Sequence, residues 1–391
     1  MTLPTKKIGS LINDGEINLI SGFAFKSNLF SDSKGIPLIR IRDVVRGMSD
    51  TFYTGDYDNK YIVKDGDILI GMDGNFNVSK WRGGKALLNQ RVCCIRSTGN
   101  AVNESLLFYF LPIELKRIEE RTPYATVKHL SIKKIKEILF PVLEEDSQTR
   151  IAEILDKAVA LRQKRKESIN LLDDFLRSTF LEMFGDPKIN ENEYTPAPLR
   201  DKGINLIGGY AFKSKDYVKE GIPLIKIGNV NKGYFDTNNI SFLPVSYLKE
   251  YERYLIKNGD LTISLTGTTG KEDYGNICKV NNSFEHYLLN QRVAKIEYSE
   301  DNFSGSYLLY LFKHPAIKLN IIKLSRGIRQ ANISNDDILD LIVPVPPIHL
   351  QNKFSDIVHQ VELLKAKYKE SEKELDNLFG SLMQRAFKGE L

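Results

Sequence analysis

The chain is poor in the residues that carry catalysis or cross-links. Its 391 residues include three cysteines, Cys93, Cys94 and Cys278. The number is odd, no Cys-x-x-Cys occurs, and no histidine stands at metal-ligand spacing from them. That pattern argues against a disulfide framework and a zinc site, and reduced thiols are expected. No window approaches the roughly 18 apolar residues of a membrane span, and the opening MTLPTKKIGS has no apolar signal region. A cytoplasmic protein without membrane contact is expected. The histidines (His129, His286, His314, His349, His359) are scattered and form no metal or nuclease motif. The one Pro-Pro, Pro346-Pro347, lies between Val345 and Ile348 and lacks the acidic or amide residue and the aromatic of an amino-methyltransferase motif. Gly267-Thr268-Thr269-Gly270-Lys271 has neither the spacing nor the hydroxyl residue of a P-loop. No dinucleotide-type glycine loop and no persuasive carboxylate pair is found. Catalysis, a metal or a cofactor on this chain is therefore not expected.

What the chain does have is a repeat. INLISGFAFKS at residues 17–27 returns as INLIGGYAFKS at 204–214. Gly35–Ile41 (GIPLIRI) returns as Gly221–Ile227 (GIPLIKI), YIVKDGD as YLIKNGD, and LLNQRV at 87–92 as LLNQRV at 288–293. The copies differ between these landmarks: Gly66 and Asn89 are 23 residues apart, Gly259 and Asn290 are 31 apart. Unlike loops on a common frame suggest two related but different ligands, with neutral drift as the bland alternative. Apolar fraction (42%) and charged fraction (27%) are those of a folded globular chain. Within each copy, short alternating runs such as Pro37–Ile41, Asp67–Ile70 and Arg91–Ile95 predict strands. Helical spacing marks Ser105–Arg121 and Ser306–Lys323.

Each copy ends in a long helix with a heptad seam. In copy two the seam reads Phe354, Ile357, Val361, Leu364, Tyr368, Ser371, Leu375, Leu378, Leu382, in steps of three and four. In copy one it reads Ile151, Ile154, Ala158, Leu161, Arg165, Ser168, Leu172, Phe175, Thr179, and both weaken at the same central place. Acidic residues at 144–146 suit the start of the first helix, and Gly185-Asp186-Pro187 its end. The expected architecture is α+β: mixed α/β domains at 1–143 and 187–346, and helices at 144–186 and 347–391. The helices pair as an antiparallel coiled coil with pseudo-twofold symmetry, or else each pairs with a second chain.

Net charge is only +5, so the placement of charge matters more than its sum. Residues 302–335 hold Lys313, Lys318, Lys323, Arg326 and Arg329 without an acid, and the equivalent 121–136 hold Arg121, Lys128, Lys133, Lys134 and Lys136. Locally unopposed cations bind phosphate. LSRGIRQANIS adds Gln330 and Asn332, which suit adenine as arginine suits guanine; its counterpart holds Tyr124. A second candidate pair is 73–85, with Lys80, Arg82 and Lys85, and 266–276, with Lys271. Lys26 and Lys213, and Arg40 and Lys226, are candidates for backbone contacts. For any single cation a solvated surface charge is the competing reading. The central run Arg162, Lys164, Arg165, Lys166 and its counterpart Lys365, Lys367, Lys369 is open between DNA, a partner protein and a solvated helix face.

GFAFKS, GIPLIRIRDV, GDILIGMDGNF and LLNQRV, in that order, resemble the target-recognition domains of Type I restriction-modification specificity subunits. The run from FPVLEEDSQTRIAEILDKA to LRSTFLEMFGDP resembles the family's spacer helix. The match covers nearly the whole chain and occurs twice. The resemblance implies two target-recognition domains joined by helices in an antiparallel coiled coil. It implies a double-stranded DNA partner with a bipartite site, two modification (methyltransferase) subunits and two restriction (ATP-dependent translocase/endonuclease) subunits. S-adenosylmethionine, ATP and magnesium would belong to those partners. A coiled coil of roughly 36 residues, about 54 Å long, can hold two modules one DNA turn apart, about 34 Å. Inverted domains would place the target adenines on opposite strands, and unequal loops predict a non-palindromic site. Copy two ends in KGEL where copy one has the GDP stop, and recognition loops vary most in the family, so the candidate base contacts rest on charge and loop position. Competing readings are an S-like recognition subunit of a Type II restriction-methylation enzyme, an interaction scaffold that binds no DNA, and a free-standing nuclease or methyltransferase.

Overall fold

A computed structural model describes residues 3–122, 128–281, 283–327 and 329–391. The chain divides into two compact units: Met1–Lys166 with Glu370–Leu391, and Glu167–Lys369. The fold is α+β, with two mixed domains and two long helices, Glu145–Phe184 and Ile348–Ala386, that pack together antiparallel.

In the first unit an antiparallel sheet runs in the order Ile17–Ser21, Val92–Ser97, Ile68–Gly71, Val78–Lys80. Its central strands read as unbroken apolar runs because both faces are covered. Ile68, Ile70, Cys93 and Ile95 point to a core shared with Leu106, Leu107, Phe110 and Leu111 of the helix Glu104–Arg121. Leu69, Val92 and Cys94 point to a second core with Ile39, Ala86 and Leu88. Those residues belong to a second sheet, in which Ile36–Ile39 pairs parallel with Ala86–Leu88.

The second unit repeats this layering. Asn205–Gly208, Val293–Glu297, Leu261–Ser264 and Ile277–Lys279 form the first sheet, and Ile222–Ile225 pairs parallel with His286–Leu289 in the second. One expectation is corrected here. Ser306–Lys323 is not one helix but two, Gly305–Lys313 and Pro315–Lys323. Proline forces the residue before it out of the helical region: His314 is extended, at φ −63° and ψ 133°, and caps the second helix from its side chain.

The long helices follow from their pattern and their ends. Glu145 and Asp146 occupy the first turn of the first helix, and Gly185, at φ +74°, closes it. Within the first unit Arg162 donates to Asp376 (2.6 Å) and its guanidinium covers the ring of Phe379. Within the second, Lys365 donates to Asp173 (2.5 Å), while Phe180 and Phe184 meet Phe354.

The seam is corrected by one residue at alternate positions. Ile151, Ala158, Phe354 and Val361 are buried, and Leu172, Leu375 and Leu382 are half-buried. Leu155, Ile169, Leu176 and Val358, each one residue on from the counted position, are buried, whereas Ile154 and Ile357 are half-buried. Leu161, Phe175, Leu364 and Leu378 face outward, 53%, 51%, 38% and 50% exposed. A three-four spacing fits either side of a heptad. The true seam includes Arg162 and Lys365, whose charges an apolar count rejects and whose carboxylate partners only the folded chain supplies.

Candidate nucleic-acid interface

The repeated LLNQRV ends a strand and turns at Asn89-Gln90-Arg91 and Asn290-Gln291-Arg292. Each turn gathers three distant segments through the backbone. In the first unit Asn89 N–H donates to Ile39 C=O (3.2 Å), Gln90 N–H to Phe23 C=O (2.8 Å), and Met72 N–H to Arg91 C=O (2.8 Å). In the second, Asn290 donates to Ile225 (3.0 Å), Gln291 to Tyr210 (3.0 Å), and Leu265 to Arg292 (3.0 Å). The glycine before each aromatic is required by this approach: a Cβ on Gly22 or Gly209 would lie 2.0 or 2.3 Å from the Asn89 or Asn290 carbonyl oxygen.

The two candidate loops of each copy meet beside this turn. In the second unit Thr266–Thr268 and Gln330–Asn332 form an antiparallel ribbon, Thr268 opposite Gln330 and Thr266 opposite Asn332. In the first, Asp73 bridges His129, Gly74 N–H donates to Lys128 C=O (2.9 Å), and Leu130 N–H to Met72 C=O (2.7 Å). Exposed groups crowd the result: Phe23, Gln90 and Arg91 in one unit, and Tyr210, Gln291, Arg292, Arg329, Gln330 and Asn332 in the other. Thr266, Asp273, Arg292, Arg329 and Gln330 line a cleft of about 340 Å³. The chemistry differs between the copies. Asp73 takes His129 at 2.6 Å and Arg91 at 3.3 Å, whereas Thr266 and Asn332 stand at the positions of that acid and histidine.

Lys26, Arg40, Arg121, Lys213 and Lys271 are exposed. Lys26 and Lys213 follow the aromatic turn, and Arg40 follows the Ile39 carbonyl that receives Asn89. Arg326 is exposed but paired to Asp337 (2.9 Å), and Lys128 is half-buried near Glu119 (3.8 Å). Both acids lie just outside the acid-free segments and fold back onto them. Lys226 donates to Ser241 (2.6 Å) over the ring of Tyr217. Lys80 donates to Ser105 (3.3 Å) over the ring of Phe108, so it is turned towards the domain's own helix. Arg82 and Lys85 are exposed on a turn that Asp65 ties to the start of Ile68–Gly71, the end away from Met72. They are not brought together with the loop they were grouped with. Lys318 is turned inward onto the Tyr274 carbonyl and Asn276, and burial pushes its ammonium down to about 8. Tyr124 lies outside the described residues. Phe23, Tyr210, Gln90, Arg91, Gln291 and Arg292 were missed by reasoning from charge. For the four polar residues the signal was the six-residue identity of LLNQRV, which keeps Asn-Gln-Arg directly after an apolar strand; for Phe23 and Tyr210 it was the repeated Gly-aromatic-Ala-Phe-Lys-Ser.

Among the described residues no cluster of His, Cys, Asp or Glu is arranged to hold a metal ion, and no helix is long and apolar enough to cross a membrane. Arginine and lysine that reach phosphate, with amides that reach base edges, are the two contact classes a DNA reader combines.

The family model of the Type I restriction modification DNA specificity domain matches residues 6–171 and 204–375. The chain therefore belongs to the Type I restriction-modification DNA specificity family, with two copies of its domain in tandem. It is 28% identical over 417 aligned residues to the Type I restriction enzyme EcoBI specificity subunit of Escherichia coli, spanning 97% of this chain and 85% of that one. It is 24% identical to the MjaVIII specificity subunit of Methanocaldococcus jannaschii, over 81% of this chain and 77% of that one. In fold it resembles the crystal structure of a Type I restriction-modification S subunit from M. genitalium, with TM-score 0.55 and 17% identity over 99% of both chains. It also resembles a chain from a structural study of complex assembly and conformational transition of the Type I system, with TM-score 0.60 and 16% identity over all of both chains.

Proposed function

We propose that this chain is the non-catalytic DNA-reading subunit of a Type I restriction-modification enzyme, each unit reading one half of a bipartite, non-palindromic site in duplex DNA. The observation that carries this reading is the Asn-Gln-Arg turn present in both units, bounded in each by different loops. The shared turn and its exposed aromatic suit backbone contact. The unlike groups beside it, Asp73 and His129 against Thr266, Gln330 and Asn332, suit different bases. Two methyltransferase and two restriction subunits would complete the enzyme and carry S-adenosylmethionine, ATP and magnesium. The outward Leu161 and Leu378 of one unit, and Phe175 and Leu364 of the other, are apolar surface that the methyltransferase subunits would cover.

The test is a genome-wide map of methylated adenines in cells expressing the chain with its modification subunit. The expected result is one new bipartite motif, methylated on opposite strands and lost without this chain. In vitro, Arg292→Ala and Arg329→Ala should weaken binding and lower the salt slope by about one each where a phosphate contact is lost. No new motif with a competent, bound partner would sink the reading.

A further inference from the structure

One buried amide recurs at the root of each recognition domain. Gln148 is 1% exposed and Gln351 is 0% exposed, on the first turn of each long helix. A buried amide is tolerated only when its polar atoms are bonded, and these are. Gln148 Oε1 accepts from Asn103 N–H (2.8 Å), and its Nε2 donates to the carbonyls of Ala101 and Leu143 (both 2.9 Å). Gln351 Oε1 accepts from Ser304 N–H (2.9 Å), and its Nε2 donates to Asn302 and Pro346 (both 2.8 Å).

The partners explain what the amide joins. Asn103 and Ser304 are the N-caps of the domain helices Glu104–Arg121 and Gly305–Lys313. Leu143 and Pro346 belong to the turns that lead into the long helices. The side chain therefore ties the start of the domain helix to the start of the long helix. An apolar residue would fill the same volume, but it would leave the angle between the helices to non-directional packing. Three directional bonds in a dry site admit one arrangement.

Resting on the two-half-site reading above, we propose that Gln148 and Gln351 are positioning residues that set the spacer length the enzyme accepts. Each fixes the angle at which a recognition domain leaves its long helix. A tilt of about 10° across a domain roughly 30 Å deep moves its far face by about 5 Å, more than the 3.4 Å step between base pairs. Neither amide lies among the exposed groups of the reading face, so the bases read at each half should not depend on it.

The test uses the full chain assembled with its modification subunits, on duplexes carrying the mapped site with the native spacer or one base pair more or fewer. Wild type is expected to methylate the native spacer selectively. Gln351→Met and Gln148→Met, which keep volume and helix propensity, are expected to retain the half-site bases. Their preference for the native over the altered spacers should fall by about tenfold, the equivalent of a lost hydrogen bond. An unchanged spacer profile, or a rate reduced equally on all three duplexes, overturns the proposal, because a merely structural residue would act that way. The two variants touch different cores, so one remains informative if the other does not fold. Wild type that methylates every spacer alike, or none, instead overturns the two-half-site reading.

Discussion

Lys318 shows why a basic segment cannot be read as a basic surface. Its ammonium sits against the Tyr274 carbonyl and Asn276, and burial holds it near 8, with Glu272 and Asp273 offsetting part of the effect. In the unfolded chain the same group keeps its proton to about 10.5. Below about pH 8 both states are charged and the folded state bears the full cost of the buried cation. Between about 8 and 10.5 only the unfolded state is charged, so the stability contributed at this site rises with pH. Urea unfolding of wild type and Lys318→Met at about pH 7, 8.5 and 9.5 should show the difference moving in favour of wild type. A pH-independent difference would mean that the ammonium is hydrated. Lys80 and Lys226 make the same point without titration: each is held by a hydroxyl and an aromatic ring of its own domain. Their sign was visible in the sequence and their direction was not, because direction depends on side chains far along the chain.

At the scale of elements, the heptads locate both helices and half of each seam. The other half turns on Arg162 and Lys365, which enter the interface because Asp376 and Asp173 receive them. Polar residues at seam positions favour one register and orientation over others. These pairs are partly exposed, so their value lies in specificity more than in stability. The corrected seam is directly testable. Leu176→Ala and Leu155→Ala, both fully buried, should each cost about 2–4 kcal/mol in denaturant unfolding. Phe175→Ala and Leu161→Ala, half-exposed neighbours, should change the stability of the chain alone by about 0.5 kcal/mol or less. Equal losses at Leu176 and Phe175 would restore the original seam. The split at His314-Pro315 was legible from the proline, but the helical spacing on either side obscured it.

Across the whole molecule, sequence order and packing order differ. The first unit's core includes Ala386, with Phe379, Leu382, Met383, Phe387 and Leu391 packed against it. Removing Glu370–Leu391 should therefore expose residues 1–166 to protease and speed their amide exchange. Residues 167–369, which bury their own core of Leu176, Phe180, Tyr307 and Phe354, should stay protected. Selective loss of the second unit would contradict this division. The sequence alone determined the tandem repeat, the mixed domains, the long helices and the family, because these are written in local periodicity and in motifs repeated in order. Only the tertiary structure decided which seam positions are buried, which cations are turned inward, and that Asn89-Gln90-Arg91 and Asn290-Gln291-Arg292 are the points where the candidate loops meet. Those outcomes depend on hydrogen bonds and ion pairs between residues tens to hundreds of positions apart, which no local pattern encodes.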